Sequence, residues 1–193
     1  PALAKLIAAA PGRRVPRTTD GAELALRSVL GQQVSTAAAR TQTARLVQRL
    51  GETVHDPVGG LTHLFPTVQA VAGLNPDQLP GPRRRAATLI GLARALASGE
   101  LELGPGADRH EARRGLGALP GIGPWTVEVV AMRSLGDPDA FPSSDLGIVR
   151  AAEHLGLTAL DTAADRWRPW RSYATQYLWA TLDHPINHLP EAS

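Results

Sequence analysis

A glycine-rich turn and a single carboxylate stand close together in this chain, and together they could bind and cleave an anionic substrate. The turn covers residues 119–126, LPGIGPWT, and Asp145 follows twenty residues after Trp125. Glycines at 121 and 123 allow positive φ angles and leave no Cβ, so backbone N–H groups can approach a phosphate closely. Pro124 suits the first turn of a helix, where free amides and the helix dipole favour negative charge. The sequence therefore predicts a phosphate-binding turn beside a carboxylate.

Each of these features also has an ordinary structural explanation. A Leu-Pro-Gly-x-Gly run can be a tight turn between two helices and nothing more. Ser143 and Ser144 are good helix caps, so we expect Asp145 in the first turn of the helix that follows, where acidic residues are common because of the dipole. The hairpin and the aspartate therefore indicate a function only in combination with other motifs.

Composition limits the classes of protein that fit. The chain has 193 residues, of which 43% are hydrophobic and 20% charged, which is typical of a globular protein. No apolar run approaches the roughly 20 residues needed to span a bilayer, and residues 1–10 lack a signal-peptide pattern. We expect a soluble, cytoplasmic monomer. Cysteine is absent, so disulfides, thiolate zinc sites and iron–sulfur clusters are excluded, and the histidines show no ligand spacing.

The basic residues are almost all arginine. Lys5 is the single lysine among 20 Lys and Arg residues, and the formal net charge is +2. This balance permits nucleic-acid binding without requiring it, because phosphate attraction depends on local contacts. A Schiff-base amine could come only from Lys5, far from the hairpin in sequence. The run Arg83-Arg84-Arg85 is more often a solvated helix start than a phosphate site.

The elements that must position these groups are helices. Apolar residues recur at helical spacing after Asp20, from Val34 to Leu50, and over about 83–98 and 107–118, each run beginning near a glycine, proline or capping residue. No run alternates polar and apolar residues in the manner of a strand. The sequence predicts an all-α fold.

Four separated motifs resemble one known family. They are residues 30–35 (LGQQVS), residues 119–126, Asp145, and residues 166–174 (RWRPWRSYA). In this order they are similar to the AlkA-type alkylpurine DNA glycosylases of the helix-hairpin-helix superfamily, over about residues 11–185. The resemblance implies a helical bundle of two subdomains with a cleft between them. It assigns residues 1–193 to one glycosylase domain, with the hairpin at 107–136 and the catalytic helix at 143–155.

The resemblance also implies a catalytic centre. Asp145 matches the catalytic aspartate of the family, and Trp125 and Trp179 match the aromatic walls of its base pocket. Some members have aromatic residues where this chain has Val129 and Leu146, so we expect a less aromatic pocket and leave its substrate range open. Lyase-type members have lysine at the position of Trp125, so the resemblance implies a monofunctional enzyme without lyase activity.

A second set of residues is implied to hold DNA. Gly121, Ile122, Gly123 and Thr126 match groups that bind a phosphate of double-stranded DNA, and Gln33 matches the wedge residue that enters the duplex. Relatives bind a monovalent cation, Na⁺ or K⁺, through hairpin carbonyls, here those of Gly117, Leu119 and Ile122, and no other cofactor is expected. Relatives also carry an N-terminal β-rich domain, which we expect to be missing here, and the chain could be fused to an alkyl-transfer module.

The expected chemistry is hydrolysis of an N-glycosidic bond. Anionic Asp145 could stabilise the positive charge that develops on the sugar, or orient the attacking water. A purine alkylated at N3 or N7 is already cationic and leaves without prior protonation, so 3-methyladenine and 7-methylguanine are the expected bases, stacked on the tryptophans. Two alternatives stay open: a non-catalytic DNA-binding module in which Asp145 is only a cap, and a glycosylase for uncharged bases.

Aromatic residues crowd the end of the chain. Five of the eight lie between positions 167 and 179, and Trp170, Tyr173 and Tyr177 share helical spacing. Such a stripe usually packs against other helices, so we expect it in the core, and only Trp179 is assigned to the site, through the resemblance.

Overall fold

The structure is a computed structural model that describes residues 3–182, so the ends of the predicted 1–193 domain lie outside the described residues. This part of the chain folds into helices and contains no β-strand, apart from one isolated antiparallel bridge between Thr53 and His63. The helices are α1 (Ala4–Ala9), α2 (Gly21–Leu30), α3 (Thr36–Leu50), α4 (Val68–Ala72), α5 (Arg83–Ser98), α6 (Arg109–Ala118), α7 (Pro124–Arg133), α8 (Leu146–His154), α9 (Leu160–Asp165) and α10 (Arg171–Trp179), with a 3₁₀ turn at Pro76–Gln78. The all-α prediction is confirmed, and no helix within 3–182 could cross a membrane.

Capping side chains decide where the helices begin. The side chain of Asp20 accepts hydrogen bonds from the first amides of α2, and Ser35 accepts one from the third residue of α3. The predicted start at Val34 was therefore two residues early. Asp108 caps α6 in the same way, so this helix begins at Arg109 instead of 107, whereas the predicted limits of 83–98 for α5 are confirmed.

Two hydrophobic cores divide the described chain into two subdomains. The larger core is built mainly by α2, α5 and α7, with Leu26, Leu92 and Met132 fully buried in it. The smaller core is built mainly by α8 and α10, with Ile148 and Leu178 fully buried, and Leu3 before α1 and Ala164 on α9 add to it. Each apolar residue removed from water in this way contributes roughly 1.5–3 kcal/mol. The ring of Trp179 packs against both cores and so lies at their boundary.

The aromatic stripe is not the core element that its spacing predicts. Trp170 is 58% exposed, because it precedes the first residue of α10 and turns out to solvent, where its ring meets Tyr173 edge-on at 5.7 Å. Tyr173 is half-buried, and of the three only Tyr177 is buried. The expectation was therefore wrong for Trp170.

Polar side chains fasten the segment between α7 and α8 to the hairpin helices. Arg113 on α6 forms ion pairs with Glu128 on α7 and with Asp137, which follows α7. Glu128 also accepts the backbone N–H of Phe141 at 2.8 Å. Because Phe141 begins the run that ends at Asp145, this network sets where that carboxylate stands relative to the hairpin.

The same segment is held from its other side by the start of α10. Arg171 donates two hydrogen bonds of 2.8 Å to the carboxylate of Asp139, and Arg168 donates one of 2.5 Å. Burial alone would raise the pKa of the Asp139 carboxyl, but the bonds and charges of Arg171 and Arg168 outweigh it and lower that pKa. The hydroxyl of Ser172 donates to the carbonyl oxygens of Asp137 and Ala140.

Replacing Asp139 by asparagine should lower the free energy of unfolding by about 1–3 kcal/mol at neutral pH, since two charge-assisted interactions weaken. The folded-state pKa of Asp139 is lowered, so its contribution is present above the unfolded pKa of about 3.9 and is lost as the pH falls through the folded value. Urea denaturation of both proteins should show a stability difference that shrinks below about pH 4. A difference that stays constant into acid would contradict the ion-pair explanation.

Candidate active site

The hairpin between α6 and α7 turns on one glycine. Gly121 has a φ of +86°, in the left-handed region that glycine tolerates, and a Cβ there would lie 2.0 Å from Oγ1 of Thr88 on α5. Gly123 has a φ of −97°, and a Cβ there would meet nothing within 4 Å. Of the positive φ angles that both glycines allow, only Gly121 adopts one, and Gly123 contributes an open position without a Cβ.

Backbone amides collect at this turn without internal acceptors. Val127 N donates to the carbonyl of Gly123, but within residues 3–182 no protein acceptor receives the N–H groups of Gly121, Gly123, Trp125 or Thr126. Pro124 opens α7 and has no N–H to lose. Free amides at a helix N-terminus attract an anion through hydrogen bonds and through the helix dipole.

The side chains of the hairpin face inward. Ile122 is buried in the larger core, and Thr126 is only 1% exposed, so its hydroxyl lies beneath the turn. Of the predicted phosphate contacts, Gly121, Ile122, Gly123 and Thr126 are thus brought together, but they can offer only backbone groups to an anion. The Thr126 hydroxyl instead accepts the side-chain amide of Gln32 at 2.9 Å.

Asp145 is the N-cap of α8, one position before the first turn in which it was expected. Its Oδ1 accepts the N–H of Ile148 at 3.1 Å, and so Ser143 and Ser144 do not cap the helix. The prediction of a serine cap was wrong because Asp145, the residue after Ser144, occupies the capping position itself.

Two tryptophans donate to the same carboxylate. Trp125 Nε1 donates to Oδ2 of Asp145 at 2.8 Å, and Trp179 Nε1 donates to Oδ1 at 2.8 Å. With the capping bond, Oδ1 accepts two hydrogen bonds and Oδ2 accepts one. Because α7 supplies the first indole and α10 the second, the carboxylate is locked between the hairpin and the smaller core. The resemblance implied aromatic walls, and the structure adds that both N–H edges point at Asp145.

Gly147 is a member of this site that the sequence reasoning missed. A Cβ on it would lie 2.9 Å from Oδ1 of Asp145 and 3.1 Å from Cδ1 of Trp179. The absence of a side chain therefore lets the indole approach the start of α8 and reach the carboxylate. The available signal was an isolated glycine two residues after the aspartate, inside an otherwise apolar helical run.

The remaining predicted residues are spread around this centre. Val129 is buried on α7, one turn after Trp125, whereas Leu146 is 71% exposed as the first residue of α8. Gln33 is exposed in the turn between α2 and α3 and has a φ of +55°, which is rare for a residue with a side chain. Its backbone angle and exposure make it a projecting point of the surface.

The hairpin carbonyls have the chemistry of a monovalent-cation site. The carbonyl of Leu119 accepts the N–H of Ile122 at 3.1 Å, while those of Gly117 and Ile122 receive no backbone N–H from residues 3–182. Neutral carbonyl oxygens suit a hard cation, and the described part of the chain holds no cluster of acidic or histidine side chains for a transition metal.

Comparison with known proteins gives a consistent set of matches. The family model described as "HhH-GPD superfamily base excision DNA repair protein" matches residues 26–171. The chain is 54% identical to the Mycobacterium tuberculosis (strain H37Rv) protein named "Probable bifunctional transcriptional activator/DNA repair enzyme AlkA", over 98% of this chain and 39% of that protein. It is 38% identical to the Escherichia coli "DNA-3-methyladenine glycosylase 2", over 93% of this chain and 64% of that protein.

A solved structure shares the fold. The 3-methyladenine DNA-glycosylase from Archaeoglobus fulgidus superposes with a TM-score of 0.75 at 25% identity, over 92% of this chain and 64% of that one. The chain thus spans between about two fifths and two thirds of the length of these relatives.

Replacing Gly147 by alanine should displace the Trp179 indole from Asp145 and leave the fold intact. The added methyl meets Oδ1 and the indole ring, while alanine in a helix adds roughly 0.5–1 kcal/mol of stability that offsets part of the strain. In ¹H–¹⁵N spectra we expect the indole N–H signal of Trp179 to move, and those of Trp167 and Trp170 to stay as internal controls. An unchanged Trp179 signal would show that the position tolerates a side chain.

Proposed function

This chain belongs to the HhH-GPD superfamily of base excision DNA repair proteins, and we propose that it is a DNA glycosylase for alkylated purines in duplex DNA. The bases would be of the 3-methyladenine and 7-methylguanine type. One observation carries the proposal: a carboxylate fixed by two indole N–H groups stands at the start of the helix after a hairpin with free backbone amides. The names of the M. tuberculosis, E. coli and A. fulgidus relatives support it.

In the proposed reaction the hairpin binds a DNA phosphate through the amides of Gly121, Gly123, Trp125 and Thr126. The damaged nucleotide leaves the base stack, and Gln33 fills the gap in the duplex. Unstacking a damaged base costs less than unstacking a normal one, which favours damaged sites. Phosphate binding at the hairpin supplies free energy that offsets the rest of the cost of unstacking the damaged base.

Asp145 then acts on the sugar. The bond from C1′ to the base nitrogen breaks, and the bonding electrons leave with the base, so that a cationic alkylpurine departs as a neutral molecule. The carboxylate stabilises the positive charge left on the sugar. Water adds to C1′ and loses a proton, and the product is an abasic site. The N–H bonds from Trp125 and Trp179 keep the carboxylate oriented, so no reorganisation is needed as the charge develops.

The base itself would lie against apolar and aromatic surface. Both indole N–H groups are engaged with Asp145, so the ring faces of Trp125 and Trp179 are the parts that can stack on a cationic purine. Val129 adds a small apolar contact near Trp125. No general acid stands next to Asp145 among the residues that hold it, which favours bases that leave without protonation.

We further propose that the enzyme leaves the abasic site uncut. A lyase reaction needs an amine that attacks C1′, and position 125 holds a tryptophan engaged with Asp145. Lys5 is the only lysine of the sequence and lies exposed on α1. A Na⁺ or K⁺ ion on the carbonyls of Gly117, Leu119 and Ile122 would support the hairpin and take no part in bond cleavage.

One observation favours a second candidate, a non-catalytic DNA-binding module. Asp145 caps α8, and a cap is sufficient reason for an aspartate at that position. The capping role alone does not require two indole donors on the same carboxylate. An excision assay separates the two candidates.

Asp145→Asn should abolish base release without unfolding the protein. Asparagine caps helices as well as aspartate does, so we expect the fold to persist, while the negative charge and the hydrogen bond from Trp125 to the second oxygen are lost. Released 3-methyladenine and 7-methylguanine should be measured from methylated duplex DNA, and we expect the rate to fall by about 10²-fold or more. Asp20→Asn, the same change at the cap of α2, is the matched control and should keep full activity.

The outcomes of this assay are distinct. Equal release by the wild-type protein and by the Asp145→Asn variant would remove the catalytic role from the carboxylate. Tight DNA binding by wild type without any release would favour the binding module. Preferential release of uracil or undamaged adenine over methylated bases would favour a glycosylase for uncharged bases.

Gly123→Val should weaken DNA binding without disturbing the fold. The position has an ordinary φ and open space around its Cβ, so the side chain projects from the hairpin and blocks a phosphate. Gly121 is unsuitable for this test because a Cβ there collides with Thr88. We expect about a tenfold loss of affinity and a salt slope lower by about one.

The control for this variant is Gly60→Val in the loop between α3 and α4, where a Cβ also meets nothing within 4 Å. Affinity should be measured by fluorescence anisotropy at several salt concentrations, with circular dichroism to confirm folding. Equal affinity of the Gly123 and Gly60 variants would mean that the hairpin does not bind phosphate.

A further inference from the structure

A single side-chain amide connects the projecting turn of Gln33 to the hairpin. Nε2 of Gln32 donates to Oγ1 of Thr126 at 2.9 Å and to the carbonyl oxygen of Gly121 at 3.2 Å. These groups are 94 and 89 positions away along the chain. Gln32 is also the immediate neighbour of Gln33, so the residue that bonds the hairpin and the residue that projects to solvent share one short turn.

Helix α5 supports both ends of this connection. Arg85 donates to the backbone carbonyl of Gln32 at 2.9 Å and to the side chain of Gln42 on α3 at 3.3 Å. Thr88, one turn further on, lies where a Cβ of Gly121 would be. The turn, the hairpin and α5 therefore contact one another pairwise. Gln32 forms the contact between the turn and the hairpin.

The left-handed backbone of Gln33 depends on such support. A non-glycine residue in that region is strained and persists only where the surroundings hold it. The Gln32 side chain on the hairpin and the Arg85 bond to the Gln32 carbonyl are the contacts that hold the preceding residue. Without them the turn could relax, and the direction of the Gln33 side chain would change.

We propose that Gln32 is a positioning residue that couples phosphate binding to insertion of Gln33 into the duplex. The side-chain amide of Gln32 fixes the position and direction of Gln33 relative to the hairpin amides. When the hairpin binds DNA, the Gln33 side chain therefore already points towards the stacked bases. The inference rests on the proposed function, in which the hairpin and Gln33 bind DNA. It assigns Gln32 an effect on insertion and on excision rate, and not on affinity.

The test uses a variant that keeps size and loses hydrogen bonding, Gln32→Met. Its DNA is a duplex with a tetrahydrofuran abasic analogue opposite 2-aminopurine, whose fluorescence depends on stacking and responds to insertion without requiring base excision. Gln33→Ala defines the signal without a wedge. Gln48→Met, the same change at an exposed position of α3, is the matched control.

We expect Gln32→Met to lose the fluorescence change at saturating protein as Gln33→Ala does, while its dissociation constant stays within about twofold of wild type. Single-turnover excision should slow by about tenfold or more, since small misplacements of a positioning group cost that much. Thr126→Val removes one of the two acceptors of the Gln32 amide, so the double variant with Gln32→Met should be no worse than Gln32→Met alone.

Three results would overturn the inference. They are a wild-type fluorescence change in Gln32→Met, a loss of affinity in this variant as large as in Gly123→Val, and additive defects of Gln32→Met and Thr126→Val. A wild-type fluorescence change in Gln33→Ala would also overturn the inference, because Gln33 would then not be the inserted residue. If wild type excises no base but the fluorescence pattern holds, the proposed enzymatic function fails and the coupling stands.

Discussion

The carboxylate of Asp145, held between two indole N–H groups, is the contact on which the arrangement of the site depends. Trp125 comes from the hairpin helix and Trp179 from the last described helix, so the two bonds join the larger and the smaller core at one polar point. Trp179 packs against both cores, and Gly147 leaves the space it needs. The site and the boundary between the subdomains are therefore built from the same few atoms.

The rest of the structure keeps this point at a fixed distance from the hairpin. Glu128 holds the backbone of Phe141 while it pairs with Arg113, and Arg171 holds Asp139 from the other side. These ion pairs are partly buried and join separate parts of the fold, so they contribute more to its geometry than exposed pairs do. A flexible connection between α7 and α8 would leave the carboxylate free to drift from the bound phosphate.

The sequence predicts the longer helices and the hairpin well because both depend on local chemistry, whereas the short helices α1, α4 and α9 were not predicted. The run before Gly99 and the turn at Gly121 are determined by neighbours along the chain. The resemblance supplied Asp145, Trp125 and Trp179, but not the bonds among them, because these join residues 20 and 34 positions apart. The sequence analysis missed Gly147 and Gln32 for the same reason, because their roles depend on contacts with residues that are distant along the chain. The errors have equally specific causes, since Asp145 occupies the capping position expected for a serine, and Trp170 lies before its helix begins.

The hydrogen bonds to Asp145 also make its two oxygens unequal. Oδ1 accepts from Trp179 and from the amide of Ile148, which uses both of its lone pairs, whereas within residues 3–182 Oδ2 accepts from Trp125 alone. The two oxygens of the carboxylate are therefore distinguishable, whereas those of a freely rotating aspartate are equivalent. For the proposed reaction, Oδ1 therefore serves mainly to hold the carboxylate in place, and Oδ2 is the oxygen with capacity left to contact the sugar or a water molecule.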